Sequence, residues 1–496
     1  ETELSANILS VLILHDIFKK YFYFQDIMKE KLLTILYKTR SAFDHYIFFM
    51  AEFLLAAIVL ITGTEVTGAI IFLLLICIKL FICDDILSII NPILMASVFL
   101  TNCYDSYDTF IQYVYLVIPA AAALIFHLVV YRKKIVVGKS LYGILAVAFA
   151  ILVGGLGKVP LEKYLIGSNL YYYLGLSIGM VLIYLFMKSR LATERKYDLN
   201  EKFAVIMTLW GLLTVFNIAF YYYGYLRDPS DINITQYLSA NYLSRNNLST
   251  YIMFALPFPL LLSKKYPAVA SLSVVFYIAM ILTGSRGGFI MGSIEFLFCI
   301  AYWIADGKRH ILKASIIAVI AVIAVFALKD VLMEIMEWRA VGDNLISEDE
   351  ARFKMFKALT ERFKDQWFLG EGLLSDINAP YYTPKSGAMY WYHMMIPQIV
   401  GSMGIVGVLA YGYQFVGRVR LIFKKINRTA MCLGISYLGI LLMSQVNPGE
   451  FCPLPYELLV VVIFILLEEN IKKAEETKSG EVSKIPAENA EPNKTE

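Results

Sequence analysis

Charge is what this sequence has least of. Asp, Glu, Lys and Arg make up 17% of its 496 residues, while 58% are hydrophobic and the mean hydropathy is +0.63. A soluble globular domain carries about a quarter charged residues, so that class is excluded and a polytopic membrane protein takes its place. The net charge of +3 says little, because placement matters more than the sum; no nucleic-acid partner is expected. Cysteine is also sparse. Cys77, Cys83, Cys103, Cys299, Cys432 and Cys452 show no CxxC or Cys/His spacing, so no metal centre is expected. Cys103 and Cys452 fall in predicted outer loops, and their spacing gives no reason for a disulfide. No cleavable signal segment is read near Glu1, and no internal repeat relates the two halves.

What is present is a series of 14 apolar runs between residues 46 and 468. Their lengths predict an all-α polytopic membrane protein with about 12–14 transmembrane helices and one large extracytoplasmic loop. The expected segments are interfacial, basic helices over 1–45, transmembrane helices over 46–328, the large loop over 329–393, further transmembrane helices over 394–470, and a disordered Lys/Glu/Ser/Pro-rich tail over 471–496. Lys/Arg placement orients the series. With the N-terminus inside, the short inner loops carry 18 Lys/Arg and the short outer loops 5, which predicts both termini in the cytoplasm.

One stretch stands out, Leu282-Thr283-Gly284-Ser285-Arg286-Gly287-Gly288. It places a single arginine between two long apolar runs, at the tip of a tight hairpin on the outer face. Gly284, Ser285, Gly287 and Gly288 are expected to let the backbone turn and to leave room beside the guanidinium. A cation held there suits an anionic lipid headgroup, above all a phosphate, which arginine grips through paired hydrogen bonds. The large loop is the second conspicuous feature. Met355, Phe356, Leu359 and Phe363 recur at helical spacing, which predicts an amphipathic helix on the membrane surface. A Gly370-Glu371-Gly372 turn follows, then Tyr381, Tyr382, Tyr390, Trp391 and Tyr392, and then His393, a candidate base beside sugar-binding aromatics. Glu52, Lys79, His127 and Glu295 lie inside apolar runs, and structural pairing is expected for them.

Taken in order, these residues resemble the O-antigen ligase and Wzy-type polymerase superfamily. The similarity rests on the Arg286 hairpin and, upstream of it, on Tyr242-Leu243-Ser244-Arg245-Asn246-Asn247-Leu248-Ser249. Downstream it rests on Arg352 with Phe356-Lys357-Ala358-Leu359, on Gly370-Glu371-Gly372, on His393, and on Gly401, Gly404 and Gly407. The resemblance covers about residues 240–416. It implies a GT-C-like, inverting, metal-independent glycosyltransferase without cofactors in the bacterial plasma (inner) membrane. Such an enzyme moves a glycan from an undecaprenyl pyrophosphate carrier to an acceptor hydroxyl, on a lipid A-core sugar or on another lipid-linked glycan. It implies catalytic roles for His393 and Arg286. Arg286 would bind the donor pyrophosphate, with Arg352 and with Arg227 or Arg245, which compete for the upstream position. Asn247, Ser285, Glu371 and Tyr392 are the substrate-binding candidates. Met394 follows His393 where family members often carry asparagine, so the acceptor stays open. The rival class is a lipid-linked glycan flippase or transporter. Against it, the functional residues gather on one face rather than at the midplane.

Overall fold

A computed structural model describes residues 39–103 (without 41), 112–156, 167–191, 198–227, 245–305, 363–373 and 394–479 (without 448), with scattered positions at 312–329, 356–360 and 392. Arg352, His393 and the expected N-terminal helices lie outside the described residues. The protein is an all-α polytopic membrane protein. Among the described residues five helices are long and apolar enough to cross a membrane, and six more are apolar but shorter. The described helices are α1 (Tyr46–Thr62), α2 (Glu65–Ile82), α3 (Ile86–Leu100), α4 (Val117–Val130), α5 (Ser140–Val153), α6 (Gly167–Leu174), α7 (Met180–Leu191), α8 (Leu199–Arg227), α9 (Arg245–Ala255), α10 (Phe258–Leu262), α11 (Ser271–Leu282), α12 (Arg286–Ala305), α13 (Met395–Lys424), α14 (Arg428–Ser444) and α15 (Leu458–Ser479). A π-turn over Gly175–Gly179 joins α6 to α7, and Pro257 and Pro259 break α9 from α10.

Helix is forced on such a chain, because hydrocarbon offers backbone amides no other partner. Where helices begin, side chains take up orphan amides: Asp85 accepts from Leu87 N at 3.1 Å and Asn427 from Ala430 N at 2.8 Å. The outer shell of the bundle is apolar. Ile47, Ile118 and Leu409 are 72%, 72% and 67% exposed, a surface that only lipid can cover. The core lies around α8, α9 and the first half of α15, with Trp210 fully buried.

Successive helix ends alternate between two faces. At one face Lys202 pairs with Asp85 at 2.6 Å, Tyr131 donates to Ile82 O at 2.7 Å, and Arg428 donates to Ser263 Oγ at 2.9 Å. At the other, Tyr222 donates to Leu282 O at 2.8 Å, Gly155 N to Leu369 O at 3.0 Å, and Leu454 N to Tyr171 Oη at 3.1 Å. Among the described helices the alternation holds from α1 to α12 and again from α13 to α15.

The buried charges mostly pair. Lys79 meets Glu52 at 2.7 Å, and Arg190 donates to His127 Nε2 at 2.8 Å. Glu295 differs from the expectation: it is fully buried against Gly439 of α14, and among the described residues neither carboxyl oxygen has a hydrogen-bond partner. None of the six cysteines is in a disulfide. Helix α15 runs on through Ser479, past the expected start of the tail, and Lys424 pairs with Glu475 beside it at 2.6 Å.

Candidate active site at the Arg286 hairpin

Helix α11 ends at Leu282 and α12 starts at Arg286, so only Thr283, Gly284 and Ser285 make the turn. Gly284 alone has positive φ, +68°, and a Cβ there would meet nothing within 4 Å. The turn is pinned through its hydroxyls. Thr283 Oγ1 donates to Met280 O at 2.7 Å and accepts from Ser285 N at 3.2 Å. Ser285 Oγ accepts from Gly288 N at 3.0 Å, which caps α12. Arg286 is therefore the first residue of a 20-residue helix, where free amides and the dipole favour an anion. Its guanidinium is half-buried, and among the described residues no carboxylate pairs with it.

The hairpin closes onto the start of α9. Ser249 Oγ and Thr283 Oγ1 share a hydrogen bond of 2.7 Å, and Ser285 Oγ donates to Asn246 Oδ1 at 2.7 Å. Arg245 opens α9 just as Arg286 opens α12. The Asn246–Ser285 bond joins the residue after the first arginine to the residue before the second. Asn247 Oδ1 in turn accepts from Tyr456 Oη at 3.0 Å. Two arginine-led helix starts thus stand side by side at one face.

The other two glycines of the motif act differently from the expectation. Gly287 and Gly288 do not leave room for a ligand. A Cβ on Gly288 would meet Ser249 Oγ at 2.5 Å, and one on Gly287 would meet Val446 Cγ2 at 2.5 Å. They are there so that α9 and the 445–457 segment can approach α12.

Arg227 ends α8 at the same face and is exposed, five residues beyond the Tyr222 bond to Leu282 O. Glu371 and Tyr392 come together elsewhere. Gly370 and Gly372, with φ of +67° and +89°, seat the loop against an unwound turn of α13 at Gly404, where φ is +58°. Glu371 N donates to Gly401 O at 2.8 Å, Gly372 N to Ser402 O at 2.9 Å, and Ile405 N to Trp367 O at 2.8 Å. These bonds satisfy the backbone groups that the broken helix frees. Tyr392 lies beneath this seat, 3% exposed, with its ring against Gly401. Glu371, Tyr392 and Leu359 line a small cleft. No described contact joins this cleft to the Arg286 hairpin.

Three features were not read from the sequence. Tyr456 and Val446 reach the site from a segment that reads as a plain outer loop. Arg418, counted there as an inner-loop charge, is buried in α13, 3.5 Å from both Glu450 and Glu457 and 3.1 Å from Tyr437 Oη. The 449–457 segment therefore turns back into the bundle. The glutamates were the signal, since they flank a proline-rich stretch next to an apolar run.

Comparison with known families bears on kinship over part of the chain. A model described as O-antigen ligase matches residues 270–412. The chain carries an O-antigen ligase family domain. The matched stretch begins at the foot of α11, takes in the Arg286 hairpin and the large loop, and ends beyond the Gly404 break of α13. Neither the curated proteins nor the solved structures provide a match. The family assigns ligase- or polymerase-type glycosyl transfer on lipid-linked glycan at a membrane. The α9 start, with Arg245 and Asn247, lies outside the matched ligase domain and reaches it through Asn246 and Ser249.

Proposed function

We propose that the protein transfers a glycan from an undecaprenyl pyrophosphate carrier to an acceptor hydroxyl at the face that bears Arg286. The observation that supports this reading best is the closure of the hairpin on α9. It sets two helix N-termini, each led by an arginine, side by side at one end of the bundle. In that reading Arg286 and Arg245 hold the pyrophosphate, with Arg227 and Arg352 as further cations from α8 and from the large loop. The glycosyl C–O bond to phosphate breaks and pyrophosphate keeps the electron pair. The acceptor oxygen bonds to the anomeric carbon from the opposite side, which inverts it, and His393 takes the hydroxyl proton. Charge accumulates on the leaving pyrophosphate, and fixed cations and helix amides near a low-dielectric boundary stabilise it better than water does. Glu371 and Tyr392 are assigned to the acceptor side. The plasma membrane is the proposed location, with this face outward and both termini inside.

The test separates the two central residues. Arg286→Lys keeps the charge but loses the planar fork, so binding of lipid-linked donor to purified protein should fall along with transfer. His393→Ala should bind donor normally and transfer nothing. Normal transfer by His393→Ala would remove it as the base and move the search to Glu371.

A further inference from the structure

Two neighbouring carboxamides at the hairpin have their orientation dictated by hydroxyl groups. Ser285 Oγ already accepts from Gly288 N at 3.0 Å, so its proton goes to Asn246 Oδ1 at 2.7 Å. Tyr456 Oη donates to Asn247 Oδ1 at 3.0 Å. Each asparagine therefore spends its acceptor on the protein, and its NH2 is left over as a donor. Among the described residues neither NH2 has a partner, and neither is sealed off as a buried orphan. The hydroxyls are themselves held in place. Ser285 is 1% exposed, and Tyr456 is 3% exposed and stacks on Phe254 at 6.0 Å with 12° between the planes. The two amides follow Arg245 directly and touch the turn that carries Arg286.

From this geometry we infer that Asn246 and Asn247 are anion-binding residues, supplying four neutral N–H donors to the pyrophosphate of the lipid donor, and that Ser285 and Tyr456 are positioning residues that aim them. The inference rests on the proposed function for the identity of the ligand. Its chemical content is separate. An amide whose oxygen is engaged by a hydroxyl turns its NH2 away from that hydroxyl, so it presents donors to phosphate oxygens and no acceptor to a cation in the same place. Neutral donors also complement arginines without adding to the repulsion between two guanidinium groups that share a site. Donors of this kind favour pyrophosphate over monophosphate, because the second phosphate supplies the oxygens to which they reach.

The experiment is a binding titration of the purified full chain with farnesyl pyrophosphate and farnesyl monophosphate in detergent. Asn246→Asp retains the oxygen that Ser285 donates to and replaces the donor by an anion, so the fold should persist. Pyrophosphate affinity should fall about tenfold or more, the usual scale for a hydrogen bond to a charged group, and the preference over monophosphate should shrink. Asn246→Ser, which removes the amide without adding charge, should weaken binding in the same direction. Tyr456→Phe should weaken binding through Asn247 alone. Added to Asn247→Ala it should therefore cost nothing further, whereas a merely structural tyrosine would lower affinity equally in both backgrounds. Wild-type affinity in Asn246→Asp and Asn246→Ser, with the wild-type protein binding normally, overturns this inference and leaves the proposed function standing. Wild-type protein that binds neither lipid overturns both.

Discussion

A buried charge in this bundle is defined by what it touches. Glu52 and Lys79 meet at 2.7 Å, Asn91 donates to Glu52 at 2.6 Å, and Lys79 also donates to Ser88 O at 2.6 Å. Removing one member leaves the other charged and dry, which costs about 3–5 kcal/mol. Glu52→Leu should therefore lower the thermal unfolding temperature in detergent strongly. Glu295 is the opposite case, a buried carboxyl with no partner among the described residues, facing a glycine. An unsatisfied buried polar group costs about 1–3 kcal/mol, so Glu295→Leu should unfold at the same temperature as wild type or higher. A marked loss of stability in Glu295→Leu would show that a further group engages this carboxyl. Both glutamates read alike in the sequence, each a lone acid in an apolar run.

Among the elements, α13 shows how a broken helix is used. Its turn around Gly404 is unwound, and the 367–372 segment supplies the missing hydrogen bonds. A side chain at Gly404 would adopt a left-handed φ and place its Cβ 2.6 Å from Phe368 C. Gly404→Ala should therefore release the large loop and abolish transfer, with faster protease cleavage between 329 and 393 as the direct reading. Gly412, eight residues on in the same helix, has nothing within 4 Å of a built Cβ. Gly412→Ala should leave activity unchanged and stabilise the protein by about 0.5–1 kcal/mol, the ordinary gain of alanine in a helix. The pair separates a glycine required by contact from one that is tolerated.

For the whole molecule, the alternation of helix ends groups residues by face, and the Lys/Arg bias is the ground on which we propose which face is inside. Part of that bias is structural. Lys188, Arg190, Lys202 and Arg418 are buried in ion pairs or polar contacts. Setting those 4 aside still leaves 14 inner Lys/Arg against 5 outer. In a cysteine-free background, Leu226→Cys beside the hairpin should react with a membrane-impermeant thiol reagent in intact cells. Phe423→Cys at the other face should react only after permeabilisation; these positions are 73% and 61% exposed. The reverse pattern would turn the molecule over and put the Arg286 site on the wrong side for an outer-face transferase. Transfer should also persist in EDTA, since the sequence places no Asp-x-Asp motif on the outward face and arginines are proposed to carry the charge. Loss with EDTA and recovery with Mg²⁺ would reverse that assignment.

Much of this protein follows from the order of its residues alone. Hydropathy set the helices and their alternation, because a chain in hydrocarbon has only one way to satisfy its backbone. The hairpin at Arg286 was legible for the same reason, as a three-residue break between two apolar runs, and the ordered motifs around it led to the ligase family. The helix packing was not legible. A lipid-facing flank and a helix-facing flank are equally apolar, so hydropathy does not say which helix meets which. Only the tertiary structure decided that Lys188 pairs with Glu469, 281 residues away, and that Tyr456 donates to Asn247 across 209. It also decided that Gly287 and Gly288 serve close packing rather than ligand access, because what a missing Cβ permits depends on the neighbour that fills its place.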